Sequence, residues 1–153
     1  MAPSVHWCEA RLAVAFLTRL PVGVPTTVDS LAIGRTVWAW PAVGAALGLA
    51  AAGLLTLCRA AGLPEPASAL IVVLALVVAT GALHEDGVAD TADGMATPGA
   101  AERVRAAMRD SRLGTAGVVA LVGSLGLRTM ALASLATSAE AAAGLVAALA
   151  GGR

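Results

Sequence analysis

The chain reads as an all-α protein, a polytopic transmembrane helical bundle, and three observations carry that reading. Residues 37–58 hold no charge between Arg35 and Arg59, a run long enough to cross roughly 30 Å of hydrocarbon. Hydrophobic residues make up 58% of the sequence but aromatic ones only 3%, so Ala, Leu, Val and Gly supply the bulk. That composition suits closely packed membrane helices, in which small side chains let backbones approach. Charge, finally, is concentrated: Glu85, Asp86, Asp90, Asp93, Glu102 and Asp110 crowd with Arg103, Arg105, Arg109 and Arg112 between residues 85 and 112.

Taken in order, residues 5–20 (VHWCEARLAVAFLTRL) place Val5, Leu12, Phe16 and Leu20 among charges. This is too short and too charged to span, and predicts an amphipathic helix lying on the membrane. Pro21 and Pro25 end it, VGVPTTVDS is a loop, and Asp29 or Ser30 is the candidate cap for the next helix. The first span, 37–58, contains Gly44 and Gly48 at GxxxG spacing, a packing signal that is weak by itself in so Gly/Ala-rich a segment. A second charge-free run, 67–83, is marginal alone and adequate if its helix continues into the acidic motif. Thr97-Pro98 predicts the start of a short interfacial helix, with Val104, Ala107 and Met108 on its apolar side. A third span is expected near 113–138, interrupted by Arg128, which needs a partner or must snorkel. A partial span comes last, at 141–150. The whole, 1–153, reads as one integral membrane domain.

Arginine placement orients the bundle. Arg11, Arg19 and Arg35 precede the first span and four Arg come after the second, whereas the intervening loop has Arg59 against Glu65. The positive-inside rule therefore expects a multi-pass protein with its N-terminus and acidic loop cytoplasmic. A formal net charge of zero argues against nucleic acid as a partner, leaving membrane lipid as the surrounding one. The two cysteines, Cys8 and Cys58, fall toward opposite faces and read as unpaired. The N-terminal stretch lacks the pattern of a cleaved signal peptide. A homo-oligomer is neither required nor excluded.

The segment HEDGVADTADG (84–94) carries the chemistry. On a helix that continues the second span, Asp86, Asp90 and Asp93 are spaced i, i+4, i+7 and share one face. Like charges so close repel, so either a hard cation or neighbouring arginines must sit among them. An oxygen-only set suits magnesium or manganese, with Mg²⁺ bridging carboxylates to substrate phosphates. Gly87 and Gly94 leave room for a phosphate ester, Thr91 and Ala92 fall off the acidic face, and Glu85 points away from it into solvent. His84 is a candidate base, although an interfacial histidine is the commoner case. In RDSRLGT (109–115), Arg109 and Arg112 have forks suited to a diphosphate or to anionic lipid headgroups. Asp110 is a further metal ligand or an orienter of arginine. The chemistry that fits is metal-dependent phosphoryl transfer from a diphosphate-activated molecule to an alcohol.

HEDGVADTADG followed by RVRAAMRDSRLGTAG, with FLTRLPV (16–22) and WPAVGAALG (40–48) before it, resembles the cobalamin synthase family of adenosylcobinamide-GDP ribazoletransferases. The four stretches occur in the family's order and together are specific. The resemblance implies an enzyme of the cell inner (cytoplasmic) membrane that transfers the adenosylcobinamide-phosphate group from adenosylcobinamide-GDP to α-ribazole or α-ribazole 5′-phosphate. GMP would be released and adenosylcobalamin or its phosphate formed, with Mg²⁺ as cofactor. It implies Asp86, Asp90 and Asp93 as catalytic, metal-binding acids, with His84 a minor catalytic candidate. Arg109, Asp110, Arg112 and Gly87 would lie around the diphosphate. Family members are longer, so the resemblance expects a C-terminally truncated form that keeps its metal site and has weak or no activity alone.

Two other readings compete. A phosphotransferase acting on CDP-activated alcohols also uses DG and spaced Asp, but its signature places Arg after the Ala, where this chain has Asp90 after Ala89. A membrane transport or scaffold subunit with a cation site would place polar groups near mid-span. Only Arg128 speaks for that.

Overall fold

A computed structural model describes residues 5–23, 30–110, 112–135 and 137–152. The described chain is all helical: α1 (Val5–Leu17), α2 (Ser30–Gly34), a 3₁₀ turn at Val37–Ala39, α3 (Trp40–Ala60), α4 (Glu65–Thr80), α5 (Leu83–Ala96), α6 (Ala101–Ala107), α7 (Thr115–Ala133) and α8 (Ser138–Gly151). Two helical segments, Val37–Ala60 and Thr115–Ala133, are long and apolar enough to cross a membrane, and α4 with α5 makes a third if the bent pair counts as one span. Asp29, one of the two expected caps, lies outside the described residues.

The bundle closes through small residues. Val72, Val73 and Ala69 of α4 meet Ala51 and Leu55 of α3, Leu132 of α7 and Ala141 of α8 in the core. Gly44 and Gly48 seat α3 against α8: a Cβ on Gly48 would stand 2.7 Å from Val146 Cα, and one on Gly44 would run into the Leu149 backbone. The GxxxG pair is thus an α3–α8 contact in which backbones touch. Leu49, Leu57, Val119, Val122, Leu127 and Met130 stay exposed, as suits lipid-facing positions on α3 and α7. At one end Arg59 ties two loops together, donating to Glu65 (2.8 Å), the Leu135 carbonyl (3.0 Å) and Ser138 Oγ (3.3 Å).

At the other end, α1 buries Ala13 and Leu17, whereas Val5, Phe16 and Leu20 of the expected apolar side stay exposed along with Trp7. It ends where Thr18 Oγ1 donates to the Val14 carbonyl. The Arg19 N–H then donates to the Ala79 carbonyl at 2.8 Å, fastening the chain to the end of α4. Phe16 stacks on Trp40, and Trp38 Nε1 donates to Glu9 at 3.1 Å.

Here the sequence expectation needs correction. The helix of the second span does not continue into the acidic motif: α4 stops at Thr80, and α5 leaves at 91°. Gly81 (φ 64°) caps α4 in the left-handed region, as glycine does readily. Ala82 joins it there (φ 59°), a conformation that costs an alanine about 1 kcal/mol. The third span is helical over Thr115–Ala133, inside the expected 113–138. Thr97-Pro98 does not open α6, which begins at Ala101 after Gly99 (φ 121°). Thr97 Oγ1 instead donates back to the Asp93 carbonyl and closes α5.

Candidate active site

The corner after α4 lays α5 along α7, and two polar contacts fix the pair. At one end the Asp93 carboxylate accepts the Gly114 N–H at 2.8 Å and the Gly117 N–H at 2.7 Å. These are among the unpaired donors that open α7, where the helix dipole also favours a negative charge. Both positions require glycine: a Cβ would stand 2.7 Å from the Asp93 carboxyl carbon at Gly114 and 3.0 Å at Gly117. Asp93 therefore caps a neighbouring helix.

At the other end Arg128 Nη2 donates to Glu85 Oε1 at 2.8 Å. This is the partner Arg128 needed. It also corrects the reading of Glu85, which does point off the Asp face but into protein rather than solvent, with 7% of its surface exposed. Its other oxygen, Oε2, is buried with no hydrogen-bond partner. The pairing escaped sequence reasoning, since 43 positions separate the two residues; the charge inside an apolar span was the only signal.

Two cavities flank α5. One, about 500 Å³ and open, is lined by Asp93, Thr97, Asp110, Arg112, Gly114 and Thr115, and so unites three of the expected site residues. Arg112 grips Asp110 there through Nη2–Oδ2 (2.7 Å) and Nε–Oδ1 (3.1 Å), while its backbone N–H also donates to Oδ1. That pairing pulls the Asp110 carboxyl from an ordinary 3.8 down to about 2, and the carboxylate in turn raises the Arg112 pKa. The other cavity, about 450 Å³, holds His84 and Glu85 in an aliphatic wall.

Asp86, Asp90, Gly87 and Arg109 line neither cavity. Asp86 and Gly87 are exposed on α5 and Asp90 half-buried one turn on, while Arg109 is exposed beyond α6. A Cβ on Gly87 would meet nothing within 4 Å, so space there is open; Gly94, by contrast, lies under the Met108 side chain and is a packing residue. Among the described residues no three His, Cys, Asp or Glu side chains gather closely enough to hold a metal. Asp86 and Asp90 alone, at i, i+4, still match the one or two carboxylates through which Mg²⁺ is commonly bound, the remaining ligands being water and phosphate.

The family model described as cobalamin-5-phosphate synthase matches residues 9–153. The adenosylcobinamide-GDP ribazoletransferase of Bradyrhizobium diazoefficiens is 45% identical over 84% of this chain and 49% of its own length. Those of Azorhizobium caulinodans and Geotalea daltonii are 47% and 42% identical, over 80% and 82% of this chain and 48% and 51% of theirs. The chain thus spans about half the length of the curated relatives it matches. No solved structure matches it. With a family match running from the amphipathic helix through α8, the chain belongs to the cobalamin-5-phosphate synthase family.

Proposed function

We propose that the chain takes part in transferring the adenosylcobinamide-phosphate group of adenosylcobinamide-GDP to α-ribazole or its 5′-phosphate. The observation that carries this is the family match over residues 9–153, which includes the whole acidic helix and the Arg112 loop. In the reaction an acceptor hydroxyl oxygen bonds to the phosphorus that bears cobinamide. The bond from that phosphorus to the bridging oxygen breaks, GMP leaves with the electron pair, and the hydroxyl proton passes to solvent.

On this reading Asp86 and Asp90 hold a Mg²⁺ ion that, when bound, neutralises charge developing on the phosphates. Asp93 stays with the Gly114 and Gly117 N–H groups and fixes where α5 stands. Arg112, oriented by Asp110, presents its remaining N–H donors to the diphosphate across the open cavity, with Arg109 beside it. His84 is a minor candidate for handling the proton. The family resemblance implies an inner-membrane location, and the arginine distribution supports a cytoplasmic position for this end. The test is GMP release from adenosylcobinamide-GDP by the purified chain, with α-ribazole and Mg²⁺ present or withheld, alongside Mg²⁺-dependent binding of adenosylcobinamide-GDP. The expected result is binding that needs Mg²⁺ and is lost in Asp86→Asn. Turnover of CDP-alcohols only, or binding indifferent to Mg²⁺, would overturn the reading.

A further inference from the structure

The 450 Å³ cavity between α4, α7 and α8 lies outside the metal and diphosphate roles assigned above. Its wall is aliphatic, from Val73 and Leu76 across Leu132 to Leu145 and Leu149, and its polar atoms gather at one end. Most of those are already engaged: Thr80 Oγ1 donates to the Leu76 carbonyl (2.9 Å), and Arg128 to Glu85 Oε1. His84 also lines the cavity, and Glu85 Oε2 stands in the wall buried and unpartnered. A carboxylate held by arginine is an acceptor only, so this oxygen calls for an O–H or N–H from a ligand.

We propose that this cavity binds the uncharged nucleoside acceptor, its apolar fused-ring base among the leucines and a ribose hydroxyl donating to Glu85 Oε2. This rests on the transfer reaction proposed above, in which α-ribazole is such a nucleoside. Two features favour it. The volume falls within the range of small-molecule pockets. Division into an aliphatic wall and polar residues that include an unpartnered buried acceptor matches a molecule with an apolar ring at one end and hydroxyls at the other.

Calorimetric titration of α-ribazole into the purified chain in detergent, without the donor substrate, tests this. A Cβ on Gly144 would meet only Leu135 Cδ1, at 3.6 Å, so Gly144→Leu fills the cavity without a backbone clash. Gly144→Leu and Ala148→Leu are expected to weaken α-ribazole binding tenfold or more. Gly126→Leu, where a Cβ meets nothing within 4 Å, should leave it within twofold. Absent binding by the wild type, or equal affinity in the cavity variants, would overturn the proposal. Should those variants fail to fold, nuclear Overhauser contacts in the wild type between base protons and the Leu145 and Leu149 methyls decide it: their presence supports the site and their absence sinks it. The two readings separate cleanly. Binding that obeys the variants without Mg²⁺-dependent handling of adenosylcobinamide-GDP keeps the cavity and loses the reaction, and the reverse pattern keeps the reaction alone.

Discussion

Replacing Asp93 with asparagine separates a scaffold carboxylate from a metal ligand. In the native chain both carboxylate oxygens accept backbone N–H groups, at 2.8 and 2.7 Å, where α7 begins. Hydrogen bonds to a charged group contribute about 1.5–3 kcal/mol each, and a half-buried site belongs at the lower end. Asparagine keeps one acceptor, turns an NH₂ toward the other donor and removes the charge that faces the helix dipole. The expected loss is therefore about 2 kcal/mol, or about 4–8 °C in Tm for a chain of this size. Reversible unfolding in mixed micelles measures the loss. Hydrogen exchange locates it, with the Gly114 and Gly117 amides exchanging up to roughly thirtyfold faster. An unchanged midpoint together with unchanged exchange at those amides would refute the capping role.

Three further outcomes are expected from the same geometry. Arg128→Leu strands the Glu85 carboxylate in the protein; loss of a buried partner costs about 3–5 kcal/mol, and the half-exposed arginine reduces that to about 2, checked by unfolding. Glu85→Leu combined with Arg128→Leu should recover most of it. Gly48→Val forces α3 from α8, because even a Cβ stands 2.7 Å from Val146 Cα; a loss of about 2–3 kcal/mol is expected by the same assay. Asp110 has its pKa depressed in the folded chain, so its pairing with Arg112 is complete above pH 3.8 and fades as pH falls through about 2. Carboxyl chemical shifts tracked against pH should show that midpoint return toward 3.8 in Arg112→Gln.

The range of each interaction decided whether the sequence disclosed it or hid it. Charge-free length was enough to place α3 and α7, and the Gly44–Gly48 spacing pointed to a packed face without naming α8 as its partner. The corner between α4 and α5 was half legible. Gly81 after an apolar run is a recognisable helix stop, but Ala82 in the left-handed region is not, since alanine gives no local sign of adopting it. Helical spacing placed Glu85 off the Asp face, and only the packing of α7 on that side decides that it is buried. Asp93 shows the same limit. Its register on α5 was readable, but the backbone donors that claim it belong to glycines 21 and 24 residues onward. Thr97 reads as a helix opener because Thr-Pro commonly is one; its hydroxyl turns back to the Asp93 carbonyl instead.

The division of labour on α5 is best tested by titrating the purified chain with Mn²⁺, as a paramagnetic stand-in for Mg²⁺, and counting bound ions by electron paramagnetic resonance. One ion should bind to the wild type and be lost in both Asp86→Asn and Asp90→Asn, while Asp93→Asn retains it at reduced thermal stability. Undiminished Mn²⁺ binding in Asp86→Asn, or its abolition in a fully folded Asp93→Asn, would contradict the account.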